Sequence, residues 1–234
     1  MSAERLPGKP LLKVNGIPII SHVVKKAKET QIGEVIVATE DEVIVNEVKK
    51  YKGDAILTSR RPKTGTDRIW EALQKLNIKN IDFIINLQGD EPLINTDDIK
   101  NLDFLSKKYN CDINTLASNI DQNDLLISQN VVKVETNTKL QKDKVSLAKN
   151  FVRKINNQTD KIYHHIGIYE FKLTALETFS KLNQSENEKK YKLEQLRALD
   201  NNIDVNVSYA ASKVVGIDTE EDYIELKKIM EYKN

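Results

Sequence analysis

The stretch DFIINLQGDEPLI, residues 82–94, decides the fold. Its first half is a short apolar run, Phe83-Ile84-Ile85, which suits a strand buried on both faces. Its second half turns polar at once, in Gln88-Gly89-Asp90-Glu91-Pro92. Gly89 permits close backbone approach, and Asp90 would project a hard oxygen ligand. A buried strand that runs into a polar, Gly- and Pro-punctuated loop is what an open α/β sheet presents at its carboxyl edge, where ligands bind.

The same theme recurs upstream. EVIVATED (34–41) is an apolar run that ends abruptly in Thr39-Glu40-Asp41, and AILTS (55–59) leads into RRPKTGTDR (60–68). Between these runs lie helical patterns. NGIPIISHVVKKAKET (15–30) has a turn at Asn15-Gly16 and an apolar stripe of Ile19, Ile20, Val23, Val24 and Ala27. DEVIVNEVKKYKGD (41–54) reads as a helix closed by Gly53, and IWEALQKL (69–76) as another helix. Alternating strands and helices predict βαβ units, hence a three-layer α/β domain with a mostly parallel sheet.

The second half is less regular. NVVKVET (130–136), IYHHIGIYEF (162–171) and IDVNVSYA (203–210) read as strands, and LTALETFSKL (173–182) and KKYKLEQLRALDN (189–201) as helices. TNTKLQKDKVS (136–146) reads as a loop. TEEDYIELKKIMEY (219–232) is a terminal helix with Thr219 and Asp222 at capping-box spacing. We expect one domain over 1–234, with a β-rich excursion around residues 130–170.

Composition sets outer bounds. The net charge of +1 gives no global basic field for nucleic acid. The single cysteine, Cys111, excludes an intrachain disulfide and suits a reducing compartment. No apolar run approaches the roughly 20 residues needed to cross a bilayer. These features lead us to expect a cytoplasmic protein without membrane or nucleic-acid partners.

Several segments could carry chemistry, and each has a plainer reading. RLPGK (5–9) packs two cations around a Pro-Gly turn and suits an anion. Asp90 is a metal ligand or a solvated loop residue. Asp218 either caps the last helix or is freed by Thr219 to act as a second carboxylate. TGTDR (64–68) is an anion-binding helix start or a plain cap. His164 and His165, on adjacent strand positions, point to opposite faces and make a zinc site a poor reading. Glu194 and Arg197, at i,i+3 spacing, read as a surface ion pair.

Taken in order, RLPGKPL, TGTDR, NLQGDEP, NVVKV, HIGIYEF, LEQLRAL and GIDTEEDY closely resemble the 3-deoxy-manno-octulosonate (Kdo) cytidylyltransferases, or CMP-Kdo synthetases. The resemblance covers essentially the whole chain, more weakly over 136–162. It implies a nucleotide-diphospho-sugar transferase (Rossmann-like) fold whose β-rich excursion serves dimerisation. It also implies that CTP and Kdo give CMP-Kdo and pyrophosphate for lipopolysaccharide synthesis, with Mg²⁺, in a cytoplasmic homodimer.

The resemblance further implies the site. Arg5, Gly8, Lys9, Gly65 and Thr66 fall on nucleotide-binding positions, and Asp90 and Asp218 on the metal-binding carboxylates. Lys9, Asp90 and Asp218 form the catalytic set. Arg68, Gln88, Arg153, His165, Tyr169, Glu194 and Gln195 match positions near the sugar acid. Relatives carry Tyr-Phe-Ser-Arg and a Pro-rich turn where this chain has NFVRKINNQTDK (150–161), which keeps Phe151 and Arg153. A related acceptor such as 8-amino-Kdo, or a non-catalytic nucleotide-binding relative, are the alternatives. Relatives also lead into the first loop with an apolar strand ending in Pro-Ala-Arg, so we expect Met1 to be an internal methionine.

Overall fold

A two-residue turn organises the start of the chain. Asn15 and Gly16 both adopt left-handed backbone, with φ of 51° and 74°, and join β1 (Lys13–Val14) to the antiparallel β2 (Ile17–Pro18). Asn-Gly is the pair that enters this region at little cost, and the turn's twist matches that of the flanking strands. The computed structural model describes residues 6–78, 80–120, 126–155, 159–212, 216–217 and 219–231. It resolves into two compact units: Met1–Ile78 with Leu87–Ile99 and Val214–Asn234, and Lys79–Asn86 with Lys100–Lys213.

In the first unit α1 (Ile19–Glu29) buries Ile19, Ile20, Val23 and Val24 of the stripe expected from spacing, while Ala27 is half-buried. β3 (Ile36–Thr39) lies parallel to β4 (Asp54–Leu57), and α2 (Glu42–Lys50) connects them as a βαβ crossover. Asp41 caps α2 by accepting from the Val43 N–H at 2.8 Å. Gly53 does not supply the left-handed stop. Lys52 does, at φ 60°, while a Cβ on Gly53 would come within 2.7 Å of the Val48 Cγ1 methyl. The glycine is needed there for packing. α3 (Gly65–Leu76) follows, with Thr64 at its N-cap. Val14, Ile19, Ile217 and Leu226 form a core cluster, packed by Leu6, Leu12, Leu93, Tyr223 and Met230. The terminal helix over Glu220–Glu231 opens on the expected capping box. Thr219 N–H donates to Asp222 at 2.9 Å, and Asp222 N–H donates back to the Thr219 hydroxyl at 3.2 Å.

β5 (Phe83–Asn86) belongs to the second unit, and α4 (Thr96–Tyr109) precedes β6 (Ile113–Ser118). Then come β7 (Lys133–Thr136), β8 (Val145–Val152), β9 (Ile162–Lys172), α5 (Leu173–Lys181), α6 (Glu186–Tyr191), α7 (Leu196–Asp200), β10 (Val205–Tyr209) and the terminal α8. The sheet order is β5-β9-β6-β10-β8-β7, and β7 also pairs with β9. β5 and β6 are each antiparallel to β9, and β10 is parallel to β6, so β5, β6 and β10 share one direction. The other described pairings of this sheet are antiparallel and involve β7, β8 or β9, the β-rich excursion.

The expected helix over 189–201 is broken. Lys192 is left-handed at φ 54°, which ends α6, and Leu193 is buried before α7 begins. α4, β6 and most of β8 had no counterpart in the sequence reading. β6 hides its strand character because Asn114, Thr115 and Ser118 are polar yet buried. Asn114 donates to the Ser106 and Ser208 hydroxyls at 3.0 and 2.9 Å, which makes its burial tolerable.

Candidate active site

The first unit gathers most of the residues expected to bind nucleotide. Gly8, at φ 70°, turns the chain into a short 3₁₀ segment, Lys9–Leu11. A side chain there would be strained by the backbone alone. Lys9 is thereby buried, and its ammonium donates to the Asp90 carboxylate and to the Ile217 carbonyl. The sequence separates these partners by 81 and 208 positions. Arg5 and Asp218 lie outside the described residues.

Asp90 comes from the loop that follows β5, as expected of a carboxyl-edge residue. Gln88 beside it is half-buried. A Cβ on Gly89 would stand 2.9 Å from the Ile20 Cδ1 methyl, so the close approach is made to a neighbouring side chain. Next to Asp90, the Glu91 carboxyl is pushed up to about 8 by burial and by the Asp90 charge, with Lys9 pulling the other way. Two hard oxygens, the Asp90 carboxylate and the Ile217 carbonyl, thus converge on one cationic centre. That donor chemistry fits Mg²⁺. Among the described residues no group of three or more His, Cys, Asp or Glu side chains makes a metal cluster.

Thr64 takes the plain cap reading of TGTDR, accepting from the Asp67 N–H at 3.2 Å. Gly65 and Thr66 form the first turn of α3, and Thr66 is wholly buried. Arg68 has partners within the protein. Its guanidinium pairs with Glu40 and donates to the Thr58 hydroxyl at 2.6 Å and the Ser59 carbonyl at 3.2 Å. Partial burial pushes the Glu40 carboxyl up, but Arg68 outweighs this and holds it below its ordinary value. Glu71 accepts from the Ser59 N–H and hydroxyl at 2.5 and 2.7 Å, so α3 grips the strand-end loop from two sides.

The second unit gathers most of the sugar-acid candidates. His165 and Tyr169 lie on β9, their ring centroids 5.4 Å apart, and Phe151 of β8 meets His165 edge-on at 5.0 Å. Burial, with His164 adding to it, holds the His165 imidazole down at about 3, so it is neutral. Its tautomer follows from the Thr115 hydroxyl. That hydroxyl has one proton, which it donates to the Ile168 carbonyl at 2.7 Å. It must therefore accept from His165 Nε2–H at 3.0 Å, which leaves Nδ1 as an acceptor. A small cleft is lined by Tyr169, Glu194 and Gln195 on its polar side and by Ile113, Phe171 and Phe179 on its apolar side. Burial, and then Glu194, raise the Tyr169 phenol. Arg153 follows β8 and donates to the Gln129 carbonyl at 3.0 Å.

Two residues escaped the sequence reading. Arg197 does not lie at the surface. It is buried, pairs with Glu188 through two hydrogen bonds of 2.8 and 2.7 Å, and stacks 4.5 Å from the Phe179 ring centroid. Removing one member of such a pair leaves an uncompensated buried charge, so the pair fixes how α6 and α7 meet. Lys133 is also fully buried. The sequence signal for it was a lysine in the middle of the apolar run NVVKV.

Solved structures with little sequence identity share this architecture. Apo UDP-glucose pyrophosphorylase matches at a TM-score of 0.71 with 15% identity, over 98% of this chain and 92% of that one. A 4-diphosphocytidyl-2C-methyl-D-erythritol synthase from Anaerococcus prevotii matches at 0.64 with 13% identity, over 95% and 93%. The fold is therefore that of the nucleotide-diphospho-sugar transferases. Within it, the cytidylyltransferase family profile matches residues 1–207. The 3-deoxy-manno-octulosonate cytidylyltransferase of Thermodesulfovibrio yellowstonii is 39% identical, over 94% of this chain and 91% of its own. That of Afipia carboxidovorans is also 39% identical, over 98% and 93%. A solved CMP:2-keto-3-deoxy-manno-octonic acid synthetase complexed with CTP superposes at a TM-score of 0.87 with 32% identity, over 99% and 95%. The chain belongs to the 3-deoxy-manno-octulosonate cytidylyltransferase family.

Proposed function

We propose that this cytidylyltransferase joins CTP to Kdo, giving CMP-Kdo and pyrophosphate. The observation that carries the reading is near-full-length similarity to Kdo cytidylyltransferases, at 39% identity. The Lys9–Asp90 contact supports it, because it brings a phosphate-type cation and a metal-type carboxylate to one point. The anomeric hydroxyl of the sugar loses its proton to solvent as its oxygen attacks the α-phosphorus in line, and the bond to the bridging oxygen of pyrophosphate breaks.

Lys9 and the loop around Gly8, with Arg5, hold the triphosphate, and Gly65 and Thr66 contribute at the start of α3. Asp90 and Asp218 would hold Mg²⁺, which when bound neutralises charge on the phosphate oxygens. His165 Nδ1 accepts from a sugar hydroxyl. Tyr169, Glu194, Gln195 and Gln88 add hydrogen bonds, and Arg153 meets the sugar carboxylate, for which a guanidinium fork is suited. Arg68, whose donors serve Glu40, Thr58 and Ser59, keeps the loop before α3 in place. Orientation and charge stabilisation can supply the acceleration without a covalent enzyme intermediate.

Pyrophosphate release with CTP, Kdo and Mg²⁺ tests the reading. Equal yields of CMP-Kdo and pyrophosphate are expected. Turnover only with another sugar acid, such as 8-amino-Kdo, would reassign the acceptor, and CTP binding without turnover would mark a non-catalytic relative.

A further inference from the structure

Lys133 lies on β7, in register with Val152 of β8 and His164 of β9. A fully buried ammonium is tolerated only when its donors are taken. Here Nζ donates to the Ser128 carbonyl at 2.5 Å and to the Arg153 carbonyl at 2.9 Å. No carboxylate pairs with it among the described residues.

Arg153 returns the grip from its own side. Its Nη1 donates to the Gln129 carbonyl at 3.0 Å and approaches that of Asn130 at 3.5 Å, and its Nε approaches the Tyr191 carbonyl at 3.5 Å. Two cations therefore clamp one short turn, 128–130, and both are satisfied by neutral carbonyl dipoles. Carbonyls offset desolvation without cancelling charge, so the positive potential of both groups survives. Burial first, and Arg153 second, lower the Lys133 pKa, which agrees with two cations close together.

We propose that Lys133 is a positioning residue for Arg153. By holding the Arg153 carbonyl and the turn that the guanidinium rests on, it fixes the point where the Arg153 side chain leaves β8. It also places a second positive charge behind that guanidinium. Arg153 Nη2 makes no hydrogen bond among the described residues, so one arm of the fork is braced while the other is left for a carboxylate. The inference rests on the reading that Arg153 meets the sugar acid.

A double-mutant cycle on the full chain, at saturating CTP, separates the two claims. Lys133→Met keeps the apolar stem and removes the charge. It should raise the KM for Kdo about tenfold or more, with kcat and the KM for CTP within about twofold. Lys133→Arg should recover part of the loss. In an Arg153→Ala background, Lys133→Met should change the KM for Kdo by less than about twofold, because the group it positions is gone. An unchanged KM for Kdo in Lys133→Met, or the same rise in both backgrounds, would overturn the proposal. A fall in Tm with both KM values intact would overturn it too, since Lys133 would then be purely structural. If Arg153→Ala alone left the KM for Kdo unchanged, the assignment of Arg153 would fail first. Should Lys133→Met not fold, Lys133→Arg is run through the same cycle, and a KM shift of about threefold that vanishes without Arg153 is the expected result.

Discussion

The two units hold the cations of their candidate-site regions in opposite ways. In the first, Lys9 is paired with Asp90 and Arg68 with Glu40, so each positive charge meets a carboxylate. In the second, Lys133 and Arg153 are held by backbone carbonyls, and no carboxylate pairs with either among the described residues. Exposed lysines of the second unit, such as Lys149 with Glu135, do pair with carboxylates at the surface, and the buried Arg197 pairs with Glu188 but is walled in against Phe179. The contrast matches the ligands of the proposed reaction. In the proposed reaction a triphosphate would come with its own divalent cation, so Lys9 would be free to pair with phosphate and Asp90 to hold the metal. A sugar acid brings one carboxylate and no counter-ion, so it needs positive charge already in place.

The most severe test falls on the paired side. Asp90→Asn removes the charge that would hold Mg²⁺ but keeps the side-chain shape. Turnover should fall by about 10²–10³-fold or more, while the circular-dichroism spectrum stays near that of the parent. A kcat close to the parent value would take Asp90 out of the metal site.

Lys9→Ala should cost less, because the loop backbone and the metal remain. A charge-assisted hydrogen bond contributes about 1.5–3 kcal/mol, so the KM for CTP should rise roughly 10- to 100-fold. The KM for Kdo should hold within about twofold, and isothermal titration with CTP gives an independent reading. A rise confined to the KM for Kdo would mean that the pairing in the first unit serves the sugar instead.

Local pattern made much of the first unit legible. The Asn15-Gly16 turn, the stripe of α1, the β3–α2–β4 crossover and the Thr219–Asp222 box each depend on residues close in sequence. The second unit was harder because its polar residues are satisfied at long range. Asn114 reads as a loop residue until Ser208, 94 positions away, is known to receive its hydrogen bond. Arg197 reads as a surface residue until Glu188 is found one helix earlier. The left-handed Lys192 that splits α6 from α7 carries no glycine or proline to announce it. The site followed the same rule. Motif resemblance named Lys9 and Asp90, but spacing could not show that they touch, nor that Lys133 holds the backbone of Arg153.

The second unit also contains the converse, a buried acid that no cation pairs among the described residues. Glu170 of β9 is buried between Ile85 of β5 and Asn114 of β6, and among the described residues neither carboxylate oxygen reaches a hydrogen-bond partner. α4 faces it with Asp103, Ser106 and Lys107. The Ser106 hydroxyl commits its proton to the Leu102 carbonyl at 2.8 Å, and Lys107 is bound to Asp103 at 2.6 Å. Burial first, with Asp103 adding to it, lifts the Glu170 carboxyl from 4.5 to about 7, and nearby Ser106 and Lys107 only partly oppose this. A carboxyl raised in the folded state binds more protons there than in the unfolded chain. Its contribution to stability is therefore full at or below the unfolded value of 4.5 and is lost as pH rises toward about 7. Glu170→Gln keeps the neutral shape at every pH. Urea unfolding should show the variant roughly 1–3 kcal/mol more stable than the parent at pH 8, with the gap closing near pH 5. A gap that is equal at both pH values would mean that Glu170 has found a donor, and that unpaired charge in the second unit is confined to its cations.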